Sequence, residues 1–107
     1  MMKNIPAGLL EEIVERLREG LHPDKIILFG SHAYGKPNDD SDIDLLIVIP
    51  ESDEPGYRRA QKAYSYLRGL TAPTELVIVT KQEVERASRV LTSLVNQAVQ
   101  RGKVLYG

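Results

Sequence analysis

The longest unbroken apolar run in the chain is five residues, Leu45 to Ile49, and the acids Asp39, Asp40, Asp42 and Asp44 stand immediately before it. A membrane-spanning helix needs about 18 or more apolar residues, so this run cannot cross a bilayer. β-Branched residues and the closing Pro50 make Ile43 to Ile49 a short buried strand instead. Four carboxylates within six residues therefore crowd the entrance of one strand. Like charges at such spacing are unfavourable unless something positive sits among them.

Around that strand the pattern alternates between helix and strand. Leu9, Leu10, Ile13, Val14, Leu17 and Leu21 recur at steps of three and four, the stripe of an amphipathic helix ending near Gly20. Lys25 to Phe29 reads as a strand stopped by Gly30, and a polar turn continues through Ser41. Tyr57 to Leu70 reads as a helix, Glu75 to Val79 as a third strand, and Lys81 to Gln100 as one helix or two, followed by a short Val104-Leu105-Tyr106 tail. Helices and strands interleaved in a short chain predict an α+β (α/β) layer, one sheet backed by helices. The 107 residues, 42% of them apolar, suffice for one domain spanning 1–107, with no linker or repeat to divide it.

Composition removes several classes of function. With no Cys the chain has no disulfide scaffold, thiolate zinc site, iron–sulfur cluster or cysteine nucleophile. Fourteen basic and 15 acidic residues give a net charge of −1, which disfavours direct nucleic-acid binding. The Met1 to Pro6 segment lacks the apolar stretch of a secretory signal, so a cytoplasmic protein without membrane contact is expected. Charge is nevertheless unevenly spread. Between Tyr57 and Thr74 there is no acid, while Arg58, Arg59, Lys62 and Arg68 are present; they form either a solvated helix face or a surface for an acidic partner.

The chemistry concentrates in Gly30-Ser31, ten intervening residues, and Asp42-Ile43-Asp44. Side chains alternate across a strand, so Asp42 and Asp44 project from one face about 7 Å apart. Mg²⁺ takes such carboxylates together with substrate phosphates. Alone, an Asp-x-Asp pair is as readily a solvated strand end. A strand ending in Gly-Ser can expose backbone N–H groups to phosphate, and Ser31 can cap a short following helix; alone, Gly-Ser is as readily a plain turn. The two together, on neighbouring strands, are the parts that metal-assisted nucleotidyl transfer requires.

Leu28-Phe29-Gly30-Ser31, ten residues, then Asp42-Ile43-Asp44-Leu45-Leu46 resembles the signature of the DNA polymerase β-type nucleotidyltransferase superfamily. The short length and the closing Gly102-Lys103-Val104-Leu105-Tyr106 resemble its minimal nucleotidyltransferases, the MntA-like antitoxins paired with HEPN toxins. The resemblance implies that superfamily's core, a small mixed β-sheet backed by helices. It implies Asp42, Asp44 and Glu75 as catalytic residues and ligands of two Mg²⁺ ions (or Mn²⁺), with Gly30, Ser31 and Ser41 binding the nucleotide. Glu75 occupies the position where that family carries Asp; the competing reading is a surface ion pair. The implied activity is transfer of AMP from ATP to a tyrosine of a HEPN-type toxin, so that the chain acts as an antitoxin in a hetero-oligomer. The alternative is a non-catalytic module that neutralises such a partner by contact. Where the family often reads Gly-Ser-Arg-x-Arg-Gly, this chain has Gly30-Ser31-His32-Ala33-Tyr34-Gly35, so His32 and Tyr34 either face phosphate in place of arginines or lie on the surface.

Overall fold

The computed structural model describes residues 4–38, 41–90 and 93–107. In chain order the elements are α1 (Leu9–Leu21), β1 (Lys25–Phe29), α2 (Ser31–Tyr34), β2 (Ile43–Ile49), α3 (Gly56–Ser65), β3 (Thr74–Thr80), α4 (Lys81–Ala87), α5 (Leu94–Arg101) and β4 (Lys103–Tyr106). Asp39 and Asp40, the first two members of the acidic run, lie outside the described residues. No helix among the described residues is long and apolar enough to cross a membrane.

The strands form one mixed sheet in the order β3-β2-β1-β4. β1 pairs antiparallel with β2 on one side and β4 on the other, whereas β2 and β3 run parallel, joined through α3. Period-two alternation divides the sheet into two apolar faces. Ile26, Leu28, Ile43, Leu45, Ile47, Leu76 and Ile78 pack on one face with Ile13 and Leu17 of α1 and Ala63 of α3. Ile27, Phe29, Leu46, Val48 and Val79 pack on the other with Ala98 of α5, joined at the margin by Tyr34 and by Val84 of α4. Helices thus cover both faces, which explains why the β2 sequence is an unbroken apolar run rather than an alternating one. Truncating Leu45 or Ile47, both fully buried, to Ala would cost about 2–5 kcal/mol.

The expected α+β layer is present, and local signals set the bounds of its elements. The first helix ends at Leu21 because His22 adopts the left-handed conformation (φ 49°) and donates its backbone N–H to the Arg18 carbonyl. The third helix stops at Ser65, five residues short of Leu70: the chain passes through turns to Gly69 at φ 90°. Of the two readings of Lys81 to Gln100, one helix or two, the structure has two, each with its own start and the second running on to Arg101. Thr80 and Glu83 form a reciprocal capping box for α4, and the Ser93 hydroxyl accepts from the Asn96 N–H to open α5. The closing tail is a fourth strand that pairs with β1, with an irregularity in register between Ile26 and Ile27.

Candidate active site

β1 ends at Phe29, and Gly30 turns the chain at φ 73°, ψ −156°, a backbone conformation open to glycine. Its missing side chain matters twice. A Cβ at Gly30 would collide with the Asp44 carboxylate, so the glycine gives both the turn and the space into which that acid reaches. The single turn of α2 follows, with the Ala33 and Tyr34 N–H groups both returning to the Gly30 carbonyl at 3.0 Å. The N–H groups of Ser31 and His32, at the start of the turn, have no acceptor within it. Gly35 closes the turn against Ser31, where a Cβ would stand 2.8 Å from the Ser31 Cα.

Ser31 does not cap this helix. Gly30 holds the cap position and no side chain bonds to the turn, so Ser31 is the first helical residue. Its hydroxyl makes no hydrogen bond among the described residues.

The strand register brings the acids together. Asp44 lies opposite Phe29 in β1 and opposite Glu75 in β3. Asp42 and Asp44 alternate onto the face that holds Leu46 and Val48, and Glu75 onto the same face through Val77 and Val79. All three carboxylates therefore share one face at the sheet end where Gly30 turns away. Asp44 is half-buried, whereas Asp42 and Glu75 are exposed. Burial pushes the Asp44 carboxyl above the usual range; the charges of Asp42 and Glu75 push in the same direction, and His32 opposes them. The three carboxylates do not close into a cage: among the described residues, no three His, Asp or Glu groups are gathered closely enough to hold a metal ion. As donors they fit Mg²⁺ or Mn²⁺, being hard oxygen ligands whose mutual repulsion a cation relieves.

The other expected residues fall in different places. Ser41 closes the turn before β2: its hydroxyl accepts from the Asn38 N–H at 2.9 Å and its own N–H donates to the Asn38 carbonyl at 3.0 Å. His32 is beside the acids, and its Nε2 is buried without a hydrogen-bond partner among the described residues. Tyr34 joins the α5-side core instead of standing free on the surface. The basic segment of α3 is split. Arg59, with its side chain only 10% exposed, is pinned by the Glu83 carboxylate at 2.6 Å and donates to the Glu54 and Ile78 carbonyls, so it belongs to the fold and not to a docking surface. Arg58, Lys62 and Arg68 remain exposed.

Sequence reasoning passed over Arg101. Its guanidinium lies 4.3 Å from the centre of the Tyr34 ring. The only signal was a basic residue one position before Gly102 at the end of a helical segment, a place where Arg ordinarily meets the helix dipole.

The carboxylates thus share one face and one sheet end with a glycine-opened helical turn. Residues 10–105 match the family described as a nucleotidyltransferase domain, and the chain belongs to that family. Among solved structures it is similar to a candidate nucleotidyltransferase from Sulfolobus solfataricus, with 28% identity and a TM-score of 0.60 over 73% of this chain and 69% of that one. A second structure described as a candidate nucleotidyltransferase is also 28% identical, with a TM-score of 0.49 over 78% of this chain and 90% of the other. No curated protein sequence matches the chain.

Proposed function

We propose that this nucleotidyltransferase moves AMP from ATP onto a tyrosine hydroxyl of a HEPN-type protein partner and so acts as its antitoxin within a hetero-oligomer. The observation that carries the transfer reading is the placement of Asp42, Asp44 and Glu75 on one face and one sheet end beside Gly30. The partner assignment rests on the resemblance of the Gly-Ser and Asp-x-Asp spacing, together with the short length, to the minimal nucleotidyltransferases.

Asp42 and Asp44 would hold the divalent ions, Mg²⁺ or Mn²⁺, with Glu75 as the third ligand. When bound, such ions polarise the phosphates and lower the pKa of an attacking hydroxyl. The N–H groups at the start of α2, which have no acceptor within the turn, and the Ser31 hydroxyl, unbonded among the described residues, can receive phosphate oxygens. Gly30 keeps side-chain atoms out of that approach. Glu75, exposed and next to Asp44, is open to an incoming acceptor and can take its proton. The acceptor oxygen bonds to the α-phosphorus as the α–β bridging bond breaks, and pyrophosphate leaves.

A second reading, neutralisation by contact alone, draws support from the carboxylates not being gathered into a cage, from His32 and Tyr34 where the family often carries arginines, and from Glu75 in place of Asp. Incubation with Mg²⁺, α-labelled ATP and a HEPN-type partner separates the two. Label on the partner that disappears with Asp44→Asn supports transfer. A partner silenced without label supports contact.

A further inference from the structure

Resting on the transfer reading, we infer that Arg101 is a phosphate-binding residue of the nucleotide site, held in readiness on the ring of Tyr34. Register places it there. β4 pairs Lys103 with Leu28, one residue before the strand end at Phe29, so the chain just ahead of Lys103 lies level with the turn at Gly30. Gly102 fixes this approach, because a Cβ on it would stand 2.8 Å from the Leu28 carbonyl oxygen and collide with Ile27. The end of α5 is thus pressed onto the end of β1.

The face agrees as well. α5 covers the side of the sheet that carries Ile27, Phe29, Leu46 and Val48, the side from which Asp42, Asp44 and Glu75 project. Tyr34 is packed at the margin of that same core, one residue before the Gly35 that closes the turn onto Ser31. Arg101, on its ring, therefore stands at the same end and on the same face as the carboxylates and the open N–H groups of α2.

Its chemistry suits a triphosphate. Arg101 is an exposed residue, makes no salt bridge among the described residues, and sets its guanidinium over the aromatic ring. The edge of the fork, which carries its N–H donors, stays available for bidentate contact with phosphate oxygens. Stacking also limits the rotamers to be lost on binding, which preorganises the group. The turn of α2 itself carries no fixed positive charge, since Ser31 to Tyr34 contain only His32 as a basic residue and Lys36 follows beyond Gly35. Arg101 brings a fixed charge with a planar donor fork to the turn of α2 from a distant part of the chain.

Equilibrium binding of ATP with Mg²⁺ to the full chain, across a potassium chloride series, tests this. Arg101→Ala should weaken binding about tenfold or more, the size of one charge-assisted hydrogen bond, and flatten its salt dependence. Arg101→Lys, which keeps the charge and loses the fork, should recover part of the affinity. Melting temperature should barely move, the residue being exposed. ATP binding by Arg101→Ala equal to wild type, with or without a lowered melting temperature, would overturn the inference. If that variant binds normally while Asp44→Asn does not bind, the role of Arg101 fails and the proposed function stands. Failure of the wild-type chain itself to bind ATP removes both.

Discussion

Two charged clusters flank the same parallel strand pair, and they are built on opposite principles. Arg59 and Glu83 are unlike charges joined at 2.6 Å, with the guanidinium donors directed at Glu83 and at the Glu54 and Ile78 carbonyls. Glu83 also completes the cap of α4, and its carboxyl is held below its ordinary value, mainly by the hydrogen bond from Arg59. Asp42, Asp44 and Glu75 are like charges on adjacent strands, with Asp44 held above its ordinary value by burial and by its neighbours. The first cluster stabilises the fold. The second works against it, a repulsion that a cation among the carboxylates would relieve. A charged cluster that satisfies itself is structural, and one left unsatisfied is where a ligand is expected.

That contrast can be broken in order of effect. Asp44→Asn should lower nucleotidyl transfer about 10²–10⁴-fold, several kcal/mol of transition-state stabilisation, while leaving melting temperature unchanged or raised. A transfer assay alongside a thermal melt checks both halves. Gly30→Ala should hurt both properties. It forces a side chain into φ 73° and against the Asp44 carboxylate, at a cost of about 2–3 kcal/mol in denaturant unfolding. Arg59→Ala should reverse the Asp44 pattern, losing about 1–2 kcal/mol of stability with ATP binding intact.

The smallest effect lies in acid titration. Asp44 binds its proton more tightly folded than unfolded, so its effect on stability declines as pH rises from about the ordinary 3.8 through its raised folded value. Glu83 binds its proton less tightly when folded; its contribution is complete above the ordinary 4.5 and is lost as pH falls through its lowered value. Melting curves from pH 3 to 6 should therefore lose their falling component in Asp44→Asn and their rising component in Glu83→Gln. Identical profiles for both variants and the wild type would contradict the contrast.

Much of this was legible in the sequence. The spans Lys25–Phe29 and Ile43–Ile49 are marked by Gly30 and Pro50 and by β-branched residues, which act locally. The placing of Asp42 and Asp44 on one face follows from strand period alone. Glu75 was reachable only through resemblance, because its place beside Asp44 depends on parallel register, a long-range property. Arg59 misled for the same reason: the segment from Tyr57 to Thr74 holds no acid, and its partner Glu83 lies 24 residues away across a strand. β4 was too short to announce itself, and Arg101 became visible only once β4 had placed the end of α5 against β1.

The central claim is that Asp42, Asp44 and Glu75 make one metal-assisted nucleotide site with the Gly30–Ser31 turn. Calorimetric titration of the chain with ATP, in Mg²⁺ and again in chelator, tests it most directly. Wild type should bind with Mg²⁺ and lose most of its affinity without it, and a folded Asp44→Asn should bind weakly under both conditions. Equal affinity of the wild type in Mg²⁺ and in chelator, or unimpaired Mg²⁺-dependent binding by Asp44→Asn, would contradict it.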